Sequence, residues 1–144
     1  MRVLLDTNIL LSLVPAEGQL RPPIERTMQR LRDEGARFCI CAQNIIEFWV
    51  TATRPAAANG WDLPPARVRQ SIDGLLATFD LLPDPPDLLR RWLDLCTKHG
   101  VVGRKSFDTR LVALMNAHAV EQLLTLNRAD FGRYEGLALI EPDA

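Results

Sequence analysis

Val3-Leu4-Leu5-Asp6-Thr7-Asn8, close to the start of the chain, joins an apolar run directly to a carboxylate. A short apolar run that stops at turn-favouring residues is typical of a strand buried within a parallel sheet. In open α/β sheets, ligands bind beyond the carboxyl ends of the strands, which is where Asp6 would lie. The stretch therefore predicts a buried first strand, with Asp6 either in a functional site or acting as a helix cap or turn residue.

Predicted strands and helices alternate along the rest of the chain, which favours an α/β fold. Further strands are expected at Phe38–Cys41, Leu81–Leu82, Leu123–Leu126 and Leu137–Ile140. Helices are expected from Pro22 to about Glu34, from Gln43 to about Thr53, from Pro64 through Phe79, from Pro85 to His99, and from Ser106, as its cap, to about Ala119. We predict one domain over residues 1–144, with a parallel sheet covered on both faces.

Composition narrows the classes of function. Hydrophobic residues make up 47% and charged residues 24% of the 144 residues, as in a globular domain, and no apolar run approaches the length that spans a bilayer. Asp6 comes too early for a signal peptide, so we expect a cytoplasmic protein. The net charge of −1 argues against nucleic-acid binding by bulk charge alone. It leaves room for a nuclease whose acidic site binds cations.

Glu47 lies within the apolar run Ile45-Ile46-Glu47-Phe48-Trp49-Val50. Apolar residues cover most of the predicted helix circumference, so we expect this helix to be buried. A buried carboxylate is costly unless it is paired or bound to a metal ion. The alternatives are a salt bridge, for example to Arg54, or a position on a thin polar stripe.

Asp108 is expected in the first turn of the helix that Ser106 would cap, where the helix dipole alone favours an acid. Asp6, Glu47 and Asp108 follow or open elements that can meet at one edge of a doubly wound sheet. Three unpaired carboxylates there would repel one another, and a hard divalent cation removes that conflict. The constellation therefore predicts a Mg²⁺ or Mn²⁺ site suited to phosphate chemistry.

These residues belong to four ordered motifs that resemble the PIN-domain family, and within it the toxin nucleases of VapBC-type toxin–antitoxin pairs. The motifs are Leu4-Leu5-Asp6-Thr7-Asn8, Asn44-Ile45-Ile46-Glu47-Phe48, Phe107-Asp108-Thr109-Arg110-Leu111 and Leu124-Thr125-Leu126-Asn127-Arg128-Ala129-Asp130. Each motif alone is weak, but the ordered set covers nearly the whole chain. The resemblance implies a three-layer α/β/α sandwich with a parallel sheet of four or five strands.

The resemblance also implies metal-dependent cleavage of RNA by a dimer that an antitoxin protein inhibits. Asp6, Glu47 and Asp108 are then the metal ligands, with Thr7 and Asn8 in support. Family members often carry Asp where this chain has Asn127, so either Asp130 or Asn127 completes the site. The loss of one charge puts a two-metal mechanism in doubt.

Two sets of residues are candidates for contact with partners. Four basic residues near the motifs either contact the RNA backbone or are ordinary surface charges: Arg54, Arg104, Lys105 and Arg128. A second set is either core or an apolar surface for the antitoxin: Leu75, Leu76, Phe79, Trp92 and Leu93. The choice of tRNA, rRNA or mRNA as substrate does not follow from the sequence.

Other functions remain open at this point. A PIN nuclease can act in RNA processing without an antitoxin, and an inert PIN-fold module would account for Asn127. A receiver-like signalling module also places acids after strands. That class needs paired acids after the first strand and a late lysine, whereas only Asp6 follows the strand and Lys105 is the last lysine.

Overall fold

Five parallel strands form one sheet in the computed structural model, which describes residues 1–143 and leaves Ala144 outside the described residues. The strands are β1 (Arg2–Leu5), β2 (Arg37–Cys41), β3 (Asp80–Leu82), β4 (Gln122–Leu124) and β5 (Ala138–Ile140). Their order is β3-β2-β1-β4-β5, so β1 is central, and Val3 is in register with Phe38 on one side and Gln122 on the other. The predicted parallel sheet is confirmed.

Helices cover both faces of this sheet, which confirms the predicted three-layer α/β/α sandwich. They are α1 (Thr7–Leu13), α2 (Arg21–Asp33), α3 (Ala42–Thr53), α4 (Pro65–Thr78), α5 (Leu88–His99) and α6 (Lys105–Ala117). Helices α1–α4 pack on one face and α5–α6 on the other. Within residues 1–143, no helix combines the length and the apolar character that crossing a membrane requires.

Alternation along β1 builds the two cores. Val3 and Leu5 point into the core beneath α1–α4, whereas Leu4 points into the core beneath α5–α6. All three side chains are fully buried because the central strand has helices on both sides. Asp6 is the next residue in the chain, so a carboxylate lies at the carboxyl end of the central strand.

Several predicted boundaries were wrong. Helix α1 was not predicted, because seven residues give too short a periodic signal. Helix α6 begins at Lys105, and Ser106 is inside it instead of capping it. The reason is a turn at Gly103, whose positive φ of 66° starts the helical bonding early: the N–H of Ser106 already donates to its carbonyl. Strand β4 ends at Leu124, not at Leu126.

Helix α3 is not buried all round, contrary to the prediction. Phe48 and Ala52 pack into the core, but Ile46, Trp49 and Val50 are exposed by 63%, 38% and 48%. Helix α3 packs against α1 and α4 along one side, and its opposite side is open to solvent. The apolar residues around Glu47 therefore include an open surface as well as core.

The segment after α3 turns back tightly on the helix end. The N–H groups of Trp61 and Asp62 donate to the carbonyls of Thr51 and Arg54, and the Trp61 ring packs edge-on against Phe48 at 5.7 Å between centroids. A Cβ atom added at Gly60 would come within 1.9 Å of the Arg54 carbonyl oxygen. Only glycine fits this close approach of two backbones.

Gly60→Ala is therefore expected to lower the free energy of unfolding by about 2 to 3 kcal/mol, as overpacking against rigid backbone does. The matched control is Gly74→Ala on exposed α4, where an added Cβ meets nothing within 4 Å. That change should stabilise the protein by roughly 0.5 to 1 kcal/mol. Urea unfolding measures both, and equal effects of the two substitutions would contradict this packing.

Candidate active site

Four acids gather at the carboxyl edge of the sheet. Asp6 follows β1, Glu47 lies in the helix after β2, Asp108 is in the first turn of α6, and Asp130 is in a short 3-10 turn after β4. Their proximity shows in the electrostatics, since the charges of Asp6, Asp130 and Glu47 all raise the pKa of Asp108. The structure thus brings together the three predicted metal ligands and one of the two candidates for a fourth.

Asp6 is both a helix cap and a member of this cluster. Its side chain is only 7% exposed; Oδ1 accepts the N–H of Thr7 at 2.8 Å, and Oδ2 accepts the hydroxyl of Thr125 at 2.7 Å. Burial raises the pKa of Asp6, although both hydrogen bonds act in the opposite direction. The two readings of Asp6 that the sequence left open are therefore compatible.

Glu47 is held by a chain of polar side chains. Its Oε1 accepts the Thr7 hydroxyl at 3.1 Å, and that hydroxyl in turn accepts the side-chain amide of Asn44 at 3.1 Å. Gln43 donates to the same Glu47 oxygen at 3.4 Å. Burial raises the pKa of Glu47. Neither the Arg54 salt bridge nor a solvated polar stripe accounts for this carboxylate.

Asp108 carries the largest electrostatic perturbation of the cluster. Burial and then the charges of the neighbouring acids raise the pKa of Asp108 to about 7, while Lys105 lowers it. A carboxylate near half ionisation at neutral pH is unusual on a protein surface and is characteristic of functional sites.

Asp130 and Asn127 play different parts. The charge of Asp130 raises the pKa of both Asp6 and Asp108, so this acid lies close enough to act with them. Asn127 is exposed and shapes the turn: its N–H donates to the Thr125 hydroxyl, and its carbonyl accepts the N–H of Asp130. Asn8 accepts the N–H of Leu126 at 3.3 Å and also lowers the pKa of Asp6.

Sequence reasoning missed three polar residues that support the acids: Gln43, Asn44 and Thr125. All three are buried. Gln43 connects two helices, since its amide donates to the Phe107 carbonyl at 2.7 Å and its oxygen accepts Arg110 at 3.0 Å. The available signal was their position in the sequence: each lies within three residues of the end of a buried strand.

The four predicted basic residues lie in different surroundings. The charge of Lys105 lowers the pKa of Asp108. Arg104 is exposed at the start of α6, and Arg128 is exposed in the 3-10 turn after β4. Arg54 is at the far end of α3 from the acids and donates to the Asn59 carbonyl at 3.1 Å. Its partner is the local loop, so the structure does not bring it to the cluster.

The chemistry of the donor set fits a hard divalent cation, because carboxylates with raised pKa values gain most from a positive charge between them. Within residues 1–143, no three His, Cys, Asp or Glu side chains form a ready-made metal cage. Mg²⁺ does not require one, since it binds through one or two carboxylates and keeps several waters. Asp6, Glu47 and Asp108 are the residues that can hold it.

Comparisons with known proteins agree with this architecture. The model of the family described as PIN domain matches residues 3–137. No curated protein matches the chain by sequence.

Three solved structures share the fold at low sequence identity. VapBC2 from Rickettsia felis, bound to a promoter DNA fragment, gives a TM-score of 0.73 at 16% identity, covering 99% of this chain and 100% of that one. A toxin–antitoxin complex from Klebsiella pneumoniae gives 0.64 at 23%, covering 94% and 95%. Mycobacterium tuberculosis VapC20, a toxin that cleaves the sarcin–ricin loop, gives 0.62 at 12%, covering 84% and 86%.

The raised pKa of Asp108 predicts that the free energy of unfolding of the metal-free protein depends on pH. Between pH 4 and 7 the folded state keeps a proton that the unfolded state has released, so the free energy of unfolding falls as pH rises. Asp108→Asn should therefore stabilise the protein at pH 8 and change little at pH 4. We expect about 1 to 2 kcal/mol, because partial exposure screens the effect.

Urea unfolding in EDTA at both pH values measures this difference. Asp73→Asn is the control, since Asp73 is an exposed acid paired with Arg69 on α4. If Asp108→Asn had the same effect at pH 4 and pH 8, the raised pKa of Asp108 that burial and the neighbouring acids produce would be refuted.

Proposed function

We propose that this chain, which belongs to the PIN-domain family, is a metal-dependent endoribonuclease acting as the toxin of a toxin–antitoxin pair. The observation that carries the proposal is the gathering of Asp6, Glu47 and Asp108 at the carboxyl edge of the sheet, where their charges act on one another. Such a cluster is costly to fold and suits the hydrolysis of phosphodiester bonds. We further propose that residues 1–144 form one domain.

Asp6, Glu47 and Asp108 would hold one Mg²⁺ or Mn²⁺, and Asp130 would complete the site. When bound, the cation supplies an acidic water and neutralises the charge that builds on the phosphate oxygens. Thr125 and Thr7 fix the oxygens of Asp6 and Glu47 through the hydrogen bonds described above. A carboxylate of the cluster takes the proton of the attacking water as the water oxygen bonds to phosphorus. The bond from phosphorus to the leaving ribose oxygen breaks, and that oxygen takes up a proton from solvent.

Lys105 is the basic residue best placed to receive the RNA backbone, because it lies close enough to Asp108 to lower its pKa. Arg104 and Arg128 are exposed nearby and can contact adjacent phosphates. Arg54 was predicted for the same role, but its bond to Asn59 favours a structural part in the loop after α3.

An antitoxin partner is supported by the fold shared with the Rickettsia felis and Klebsiella pneumoniae complexes. Of the apolar residues that the sequence offered for docking, Leu75 and Phe79 belong to the core, whereas Leu76 and Leu93 are 41% and 50% exposed. We propose a cytoplasmic homodimer that an antitoxin inhibits and that cleaves tRNA, rRNA or mRNA; VapC20, with a similar fold, cleaves a ribosomal loop.

Cleavage of total cellular RNA by purified protein tests the enzymatic part of this proposal. We expect discrete fragments with Mg²⁺ or Mn²⁺ and none with EDTA. Asp6→Asn should lower the rate at least about 100-fold, because it removes a ligand charge at the reacting centre. The measurement is the fragment pattern and its rate by gel electrophoresis and end mapping.

Asp73→Asn, an exposed acid on α4, is the matched control and should cleave like the unaltered protein. Full cleavage by Asp6→Asn would overturn the site assignment. No cleavage by folded protein would favour the inert PIN-fold module.

A toxin role makes a separate prediction in cells. Production of the chain alone should arrest growth, Asp6→Asn should not, and co-production of the protein from the adjacent gene should restore growth. Colony counts after induction measure this. Unimpeded growth with an enzyme that cleaves RNA in vitro would favour the alternative of a nuclease in RNA processing.

A further inference from the structure

We propose that a cavity beside the acid cluster binds one unpaired RNA base next to the phosphate that is cut, an inference that rests on the proposed function. The cavity measures about 400 Å³ and lies between the turn after β3 and the first turns of α5 and α6. Its walls include Leu88, Leu89, Trp92 and Phe107. Sites for small ligands typically have volumes of this order.

The cavity and the acid cluster share parts of the same scaffold. Phe107, in the cavity wall, immediately precedes Asp108 in the first turn of α6. Gln43 donates both to the Phe107 carbonyl at 2.7 Å and to Glu47 at 3.4 Å. The cavity and the acids are therefore neighbours, so an RNA strand with a phosphate at the acids would bring an adjacent base to the cavity.

The lining suits an aromatic ring. Phe107 is 55% exposed and Leu89 is 65% exposed, so two large apolar side chains at this edge lack cover. Single-stranded RNA is commonly recognised by stacking of splayed bases on aromatic side chains. An exposed phenylalanine directly beside a site for phosphodiester hydrolysis is well placed for such stacking.

The charges of the cavity favour a neutral ring over a second phosphate. Arg110 lies in its wall and donates to Asp84 at 2.9 Å and to Gln43 at 3.0 Å. Because the guanidinium is already paired with a carboxylate, the wall carries no net charge for an anion. The pair still presents polar atoms that can bond to the edge of a base.

The size of the cavity also favours a base over a protein partner as its occupant. A helix or a second copy of the chain needs an extended groove, whereas this cavity is bounded by two helix starts and a proline turn at Pro85 and Pro86. One base with its ribose fits the volume. We therefore commit to the base as occupant and treat a second copy as an outcome of the test.

Trp92 provides a built-in reporter. Its indole N–H donates to the Ser106 carbonyl at 2.7 Å in the cavity wall, whereas Trp61 packs on Phe48 in the core on the other face of the sheet. We would titrate the four ribonucleoside 5′-monophosphates into the protein and follow the indole N–H signals by NMR. Ribose 5-phosphate is the baseless control.

At least one nucleotide should shift the Trp92 signal saturably and leave the Trp61 signal in place, and ribose 5-phosphate should leave both unchanged. Phe107→Ala should weaken that binding by about 10-fold or more, as expected for the loss of a stacking partner, and Phe107→Tyr should retain it. Leu20→Ala, at an exposed apolar residue before α2 that has no assigned role, is the matched control. Equal shifts with ribose 5-phosphate, or no shift at Trp92, would overturn the proposal.

This titration needs no cleavage, so its failure is distinguishable from failure of the proposed nuclease. With a cleaved RNA in hand, Phe107→Ala should raise KM about 10-fold or more and leave kcat within about two-fold. An abasic nucleotide beside the cut should impair the unaltered protein and not Phe107→Ala. If sedimentation showed that Phe107→Ala only dissociates a dimer and leaves nucleotide binding intact, the occupant would be a second copy and the proposal would fall.

Discussion

A buried carboxylate at the end of the central strand is the constraint on which the rest of this site depends. Asp6 follows three fully buried residues of β1, and its oxygens are held by Thr7 and Thr125. Burying a charge is expensive, and hydrogen bonds offset only part of the cost, since the pKa of Asp6 remains raised. Further acids around Asp6 raise the electrostatic free energy of the folded state again. A bound cation offsets this repulsion because it supplies positive charge among the carboxylates.

The surrounding polar residues hold the acids at this edge of the sheet in fixed relative positions. Thr7 links the first helix to Glu47, and Gln43 links the helix that bears Glu47 to the one that bears Asp108. The bonds from Thr7 to Glu47 and from Gln43 to the Phe107 carbonyl join elements far apart in sequence, so the relative positions of the acids depend on the packing of the whole sheet. The proposed base cavity uses the same first turn of α6, so the proposed metal ligand Asp108 and the proposed base contact Phe107 are neighbours on one helix.

Much of this could be predicted from the sequence, because strands that end in acids carry a clear signal. The strand before Asp6, the parallel sheet and the meeting of Asp6, Glu47 and Asp108 follow from short apolar runs and their spacing. The exposure of Ile46 on α3 could not, because periodicity does not reveal which face another element covers. Nor could the part of Gln43, whose partner at Phe107 is 64 residues away.

Whether these carboxylates bind a cation is tested by crystals grown with Mn²⁺ and measured for anomalous scattering. We expect one strong peak between the carboxylates of Asp6, Glu47 and Asp108, which disappears in Asp6→Asn. A protein that binds no Mn²⁺ at millimolar concentration, or binds it only away from these three side chains, would show that the acids do not form a cation site.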